Sequence, residues 1–296
     1  MSNDNSSFPV KFFDPTSISA LGIGPGSQDD GPEKLDYMVM PEEVMTYAAP
    51  NVPERDEING REQAVVLLES VKNALEHWQP GDSNKSFSLM QLSAPERELV
   101  DQILGSGEVS VTVQVDNTDT AIQESVLTGV WQVHQQDING HTLADSLEVG
   151  TVPESVRSQS FRRAKPELLP TEQAPLAVLN APSVLVELAD HIKAWQAGDT
   201  PLTINLSLLP MSPDDIAWIS EVLGTGPTLI LSRGYGNCRI GATSYRNTWW
   251  IKYFNSQDNV ILETLDVCDV PPVAVAAPED IADSAERLNE ILEIYR

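Results

Sequence analysis

The segment Trp78-Gln79-Pro80-Gly81-Asp82 returns 117 residues later as Trp195-Gln196-Ala197-Gly198-Asp199. Each copy closes a stretch with apolar residues at helical spacing: Leu68, Val71, Leu75 and Trp78 in one, Leu185, Leu188, Ile192 and Trp195 in the other. A chain built this way is constrained to fold as two similar units, because each unit has its own apolar stripe to cover. The spacing widens by two residues and the match continues. Ser93 and Ser212 read as N-caps, with Pro95 or Pro213 in the first turn. Leu99, Val100, Ile103 and Leu104 answer Trp218, Ile219, Val222 and Leu223, and each helix stops on a glycine, in Gly105-Ser106-Gly107 or Gly224-Thr225-Gly226.

Beyond the glycines both copies turn to strand. Val109, Val111 and Val113 alternate with polar residues. Asp116-Asn117 reads as a hairpin turn into a second strand, Ile122 to His134, which sets Trp131 opposite Trp250. A third strand, Leu143 to Val149, parallels Ile261 to Val267. The expected fold is therefore α+β: two duplicated two-layer modules, each a helix-strand-helix followed by an antiparallel three-stranded meander, packed together. Three regions follow. Residues 1–60 are a loop-rich acidic segment with seven prolines, in which Gly24-Pro25-Gly26-Ser27 reads as a turn. Residues 61–165 form the first module with a basic connector, in which Arg157, Arg162, Arg163 and Lys165 are expected to meet the acidic body. Residues 166–296 form the second module, closed by a helix with the stripe Ile281, Ala285, Leu288 and Leu292.

Composition narrows the function. Acids outnumber bases 44 to 18, a net charge of −26. Such a surface repels phosphate backbones and anionic lipid, so neither nucleic acid nor membrane insertion is expected, and a basic protein partner is favoured. No stretch reaches the roughly 18 apolar residues of a membrane span, and the opening residues carry no signal-peptide pattern. Cys238 and Cys268 are the two cysteines and form no CxxC, as suits a reducing compartment. A cytoplasmic protein is expected.

The copies differ most where Arg233-Gly234-Tyr235-Gly236-Asn237-Cys238-Arg239 replaces Gln114 to Thr120. Two glycines around a tyrosine, two arginines and a thiol read either as a tighter turn or as a recognition loop. Trp249 and Trp250 adjoin it and point to opposite sheet faces if they lie in a strand. The candidate partner-binding residues are Arg233, Gly234, Tyr235, Gly236, Cys238, Arg239, Trp249 and Trp250. Arg239 beside Cys238 would favour the thiolate, making Cys238 a weak candidate for metal or cluster chemistry. The four histidines and two cysteines follow no zinc or iron–sulfur spacing, so no metal, cofactor or catalytic residue is assigned. With no nucleophile elbow, HExxH or Walker loop, the sequence leans away from an enzyme.

The order GPGSQ (Gly24 to Gln28), LGSGEVSV (Leu104 to Val111), RGYGNCRIGAT (Arg233 to Thr243) and AAPEDIADSAERL (Ala276 to Leu288) resembles the HupH/HyaF family of hydrogenase expression/formation proteins. The resemblance spans nearly the whole chain. It implies an accessory protein, or chaperone, for maturation of an uptake NiFe hydrogenase. The implied partners are the precursor of the small, iron–sulfur-bearing subunit, its twin-arginine signal peptide and other hydrogenase accessory proteins. The resemblance carries over no catalytic residue. A second reading, of another class, is a protein that handles iron–sulfur clusters during assembly through Cys238, with Cys268 as a further thiol.

Overall fold

The structure is a computed structural model that describes residues 60–169, 174–233 and 237–295. The expected loop-rich segment lies almost wholly outside these residues. Ten strands form one antiparallel sheet in the order β1-β5-β4-β3-β2-β7-β8-β9-β10-β6. The first half supplies β1 (Lys85–Ser88), β2 (Val109–Val115), β3 (Thr118–Glu124), β4 (Val130–Asp137) and β5 (Thr142–Val149). The second supplies β6 (Leu202–Asn205), β7 (Thr228–Ser232), β8 (Asn237–Ala242), β9 (Thr248–Phe254) and β10 (Val260–Val267). Helices α1 (Glu62–Glu76) and α2 (Ala94–Leu104) flank β1, α4 (Ala181–Ala194) and α5 (Pro213–Leu223) flank β6, a short α3 (Glu154–Gln159) lies between the halves, and α6 (Pro278–Glu293) follows β10.

The fold is α+β, as expected, with one correction. Each meander has four strands where three were expected, because the stretch read as one strand from Ile122 to His134 is two. The chain leaves the sheet at Ser125, whose hydroxyl bonds the Leu127 backbone; it buries Leu127 completely and re-enters after Gly129 at φ +84°. The apolar Val126-Leu127 pair disguised that corner as strand.

The halves join where β2 meets β7, with Val111 opposite Ile230 and the ladder running from Val109↔Ser232 to Val113↔Thr228. Alternation along these strands separates two faces. One face carries Val111, Val113, Ile230, Cys238, Ile240, Trp249 and Ile251, a core shared by both halves and covered by Val156 of α3, Phe161, Val270 and Ala274. The other face is packed only at its two ends. Val130, Leu147 and Val149 meet α1, α2 and α6, and Leu265, Val267 and Ile204 meet α4 and α5. The stripe Ile281, Ala285, Leu288 and Leu292 is buried as the sequence requires, but α6 packs against α1 of the first half. Among the described residues no helix lies over the middle of that face, on β3, β2, β7 and β8: Gln114, Ala121 and Arg239 are exposed and Ser110 and Thr112 half-buried.

Two carboxylates fasten the helices. Asp215 accepts the backbone N–H and hydroxyl of Ser212 at 3.0 and 2.8 Å on one oxygen, completing the capping box of α5. Its other oxygen accepts the N–H groups of Leu179, Asn180 and Ala181 at 2.8–2.9 Å and so caps the start of α4. Burial pushes the Asp215 carboxyl up, but these donors outweigh it and hold the pKa well below the usual carboxylate range. Glu96 does the same in the first half, binding Ser93 at 2.8 and 2.9 Å and the Gln63 N–H of α1 at 3.2 Å. Each cap is followed by the expected stop, with Gly105 at φ +53° and Gly224 at φ +61°. The repeated Trp-Gln-X-Gly-Asp segments close alike: Asp82 and Asp199 each accept the N–H of the glutamine three residues earlier at 2.9 Å. The basic connector meets the acidic body as expected. Arg157 reaches Asp269 at 3.3 Å, Arg162 and Arg163 both bind Asp116, and Lys165 lies 5.1 Å from the Tyr245 ring.

Asp215→Ala strands five donors at once, and is expected to cost about 3 kcal/mol of stability, against about 1 kcal/mol for a simple cap. Because the folded-state pKa is depressed, this contribution is present above the unfolded pKa of about 4 and fades as pH falls below it. Thermal melts should show a large deficit at neutral pH that narrows in acid; a variant melting with wild type at neutral pH contradicts the double-cap role.

Candidate functional site

The hairpin that distinguishes the halves begins where Arg233 leaves β7, its N–H bonded to Glu108 O at 3.1 Å. Gly234, Tyr235 and Gly236 lie outside the described residues. The chain resumes in β8, where Cys238 pairs with Ser232 and Arg239 with Leu231. Strand alternation then sends neighbouring candidates to opposite faces. Cys238 is 2 % exposed and turned into the shared core. Arg239 is exposed on the other face, its guanidinium 4.7 Å from the Phe254 ring centre. The expectation that Arg239 favours a Cys238 thiolate is corrected here: burial pushes the thiol pKa up, outweighing hydrogen bonding from Ser232. Cys268, 3 % exposed, is pushed up to about 12 by burial, with Asp266 and Asp269 adding to it.

The tryptophans separate as a strand demands. Trp249 is 0 % exposed, donates its indole N–H to Cys268 O and Asp269 O at 3.3 and 3.2 Å, and meets Phe161 edge-on at 4.9 Å. Its counterpart is Trp131, which donates to Gly150 O at 2.9 Å. Trp131 therefore aligns with Trp249, one residue from the expected Trp250, and both rings are scaffold. Trp250 is half-buried on the opposite face, at the edge of the α4–α5 core, with its N–H on Glu263 Oε1 at 2.7 Å. Lys252 binds the same carboxylate at 2.9 Å and sits 5.0 Å from the Trp250 ring centre.

Of the eight candidates, the described structure thus leaves Arg233, Arg239 and Trp250 on accessible surface and withdraws Cys238 and Trp249 into the core. Around the accessible three lie residues that motif reading passed over: Leu229 and Leu231 on β7, Gly241 on β8 and Phe254 on β9. Cross-strand register alone gathers them, through Leu231↔Arg239↔Lys252 and Leu229↔Gly241↔Trp250. Their signal was present in the alternation of β7, had it been read for both faces. Two surface cavities of about 370 and 390 Å³ lie elsewhere, one beside Trp195 and Arg246, the other between α3 and the β2–β3 hairpin. Among the described residues no three or more His, Cys, Asp or Glu side chains gather as a metal site requires. No described helix is long and apolar enough to cross a membrane.

The family model described as "HupH hydrogenase expression protein, C-terminal conserved region" matches residues 62–162 and 178–295. The hydrogenase expression/formation protein HupQ of Azotobacter chroococcum is 44 % identical over 280 residues, covering 94 % of this chain and 97 % of its own. HoxQ of Cupriavidus necator, also a hydrogenase expression/formation protein, is 42 % identical over 276 residues, or 93 % and 96 % of the two chains. The hydrogenase-1 operon protein HyaF of Escherichia coli is 30 % identical over 277 residues, 92 % and 94 % of the two.

Both thiols should resist modification in the folded protein. A thiol reagent is expected to label Cys238 and Cys268 slowly under native conditions and fully in denaturant. Native labelling of Cys238 at the rate of a free thiol contradicts its placement in the core.

Proposed function

Since this chain belongs to the HupH family of hydrogenase expression proteins, we propose that it is a non-catalytic accessory protein of hydrogenase maturation. In this reading it holds the small-subunit precursor of an uptake NiFe hydrogenase in the cytoplasm before twin-arginine export. The observation that carries the reading is the match, along nearly the full chain, to proteins named for hydrogenase expression and formation. Two physical features support it. The net charge of −26 speeds encounter with a client whose export segment carries arginines. The uncovered sheet face offers a broad, shallow contact area of the kind a protein client needs, with an aromatic ring and directional donors on it. Cluster handling through Cys238 is disfavoured, because a buried thiol with a raised pKa neither ligates iron readily nor exchanges with solvent.

Tagged protein is expected to co-purify with the small-subunit precursor from hydrogenase-producing cells, and Cys238→Ser is expected to capture as much precursor as wild type and to support full hydrogenase activity. Absence of the precursor from the wild-type eluate overturns the reading. Loss of activity in a folded Cys238→Ser variant, with iron bound by the wild type alone, returns cluster handling to first place.

A further inference from the structure

We propose that the strip of sheet around Gly241, over which no described helix lies, docks an extended, carboxylate-bearing segment of a partner protein, with Arg239 receiving the carboxylate. The proposal rests on the accessory reading only in taking the partner to be a protein.

Gly241 is the penultimate residue of β8, and a glycine inside a strand weakens it relative to alanine. Nothing in the fold requires it. It has no positive φ, and a Cβ built there meets no atom within 4 Å. Gly107 and Gly226 show the contrast: a Cβ at either would lie 2.3 Å from Ser125 O or 2.6 Å from Thr243 O, so packing demands glycine at both. At the matching register of the first half stands Gln123, opposite Gln132 as Gly241 is opposite Trp250. The Gln123 amide donates at 3.1 Å to the carbonyls of Gly107, Val109 and Glu124 and so occupies its own part of the face. In the second half that space is open. An unfilled glycine between half-buried Leu229 and Trp250 is a place where a foreign backbone can approach closely while its side chains rest on the flanks.

Charge selects the occupant. Acids outnumber bases 44 to 18, and Arg61, Arg97, Arg157, Arg162 and Arg163 all sit against carboxylates. Arg233 and Arg239 have none within 4.0 Å among the described residues, although both are exposed. Lys252 beside them is neutralised by Glu263 at 2.9 Å. Arg239 is also held in place by its stack on Phe254. A guanidinium oriented in advance, with its fork unspent, matches the two oxygens of a carboxylate. Phosphate shares that chemistry, but the charge of the whole chain repels a polyanion.

The test pans a random peptide library on the full chain and measures a labelled, selected peptide by fluorescence anisotropy. Selected peptides are expected to share an Asp or Glu. Arg239→Glu should weaken binding at least about tenfold, as loss of a charge-assisted pair does, and replacing the peptide's acid with Lys should restore part of it. Gly241→Val should weaken binding similarly while leaving Tm unchanged or raised, because a Cβ there meets no atom within 4 Å and valine favours a strand. Lys193→Glu, on the exposed side of α4, should change nothing. Peptides without a shared acid, no selected peptide at all, equal binding by the variants, or displacement by an RNA oligomer each overturn the proposal. So does a Gly241→Val chain that melts several degrees lower yet binds normally, since the glycine is then structural. Capture of the small-subunit precursor is scored separately on the same proteins. Capture by wild type and both variants alike removes the strip and leaves the accessory reading, whereas no capture by wild type removes that reading and leaves the peptide result to judge the strip.

Discussion

The rest of the molecule depends on the ladder between β2 and β7. Five residue pairs, from Val109↔Ser232 to Val113↔Thr228, turn two meanders into one ten-stranded sheet. The ladder is centred on Val111 and Ile230, which are 119 residues apart, the same spacing that relates the second helices of the two halves. Residues on one strand therefore meet the counterparts of their own neighbours, as in an interface between two identical subunits. Beneath the seam a single core runs from Trp131 to Trp249 without interruption. Separating the halves would expose that core and two strand edges together, so they hold together as one body.

The seam also explains where a working surface is left. The pairs α1–α2 and α4–α5 lie over the outer strands of their own halves, α6 crosses to join the first pair, and Glu96 and Asp215 tie the helix starts of each pair together. Among the described residues, the middle strands are covered from below by α3 and the 268–276 segment, and no helix lies over them from above. The two halves then diverge on that open face. The first fills it with self-satisfied amides at Gln123 and Gln132. The second presents Gly241, Trp250 and an Arg239 that stacks on Phe254 and faces no carboxylate among the described residues. On the docking proposal, the first half serves as scaffold while the second carries recognition.

Much of this was legible in the residues. Ser93, Ser212, Gly105 and Gly224 mark helix ends by local chemistry that needs no tertiary context, and all four do so in the structure. The contacts of Arg157, Arg162 and Arg163 follow from charge alone. What escaped was non-local. The corner at Ser125–Gly129 looked like strand because its leucine is core. The destination of α6 depends on which half lacks a cover, which no stripe of its own can report. Cys238 and Arg239 are sequence neighbours, so they invited a shared chemistry that a pleated strand forbids. Gly241 lay inside a motif already noticed, but its meaning rests on the absence of neighbours above it, visible only in three dimensions.

The central claim is that the second half's open face, rather than its thiols or its cavities, is where this protein meets its client. Hydrogen–deuterium exchange on the full chain, with and without the hydrogenase small-subunit precursor, tests it most directly. The account predicts new protection across 228–242 and 248–254, with α1, α2 and the 116–140 hairpins unchanged. Protection confined to the first half, or to the cavity beside Trp195 and Arg246, would contradict it.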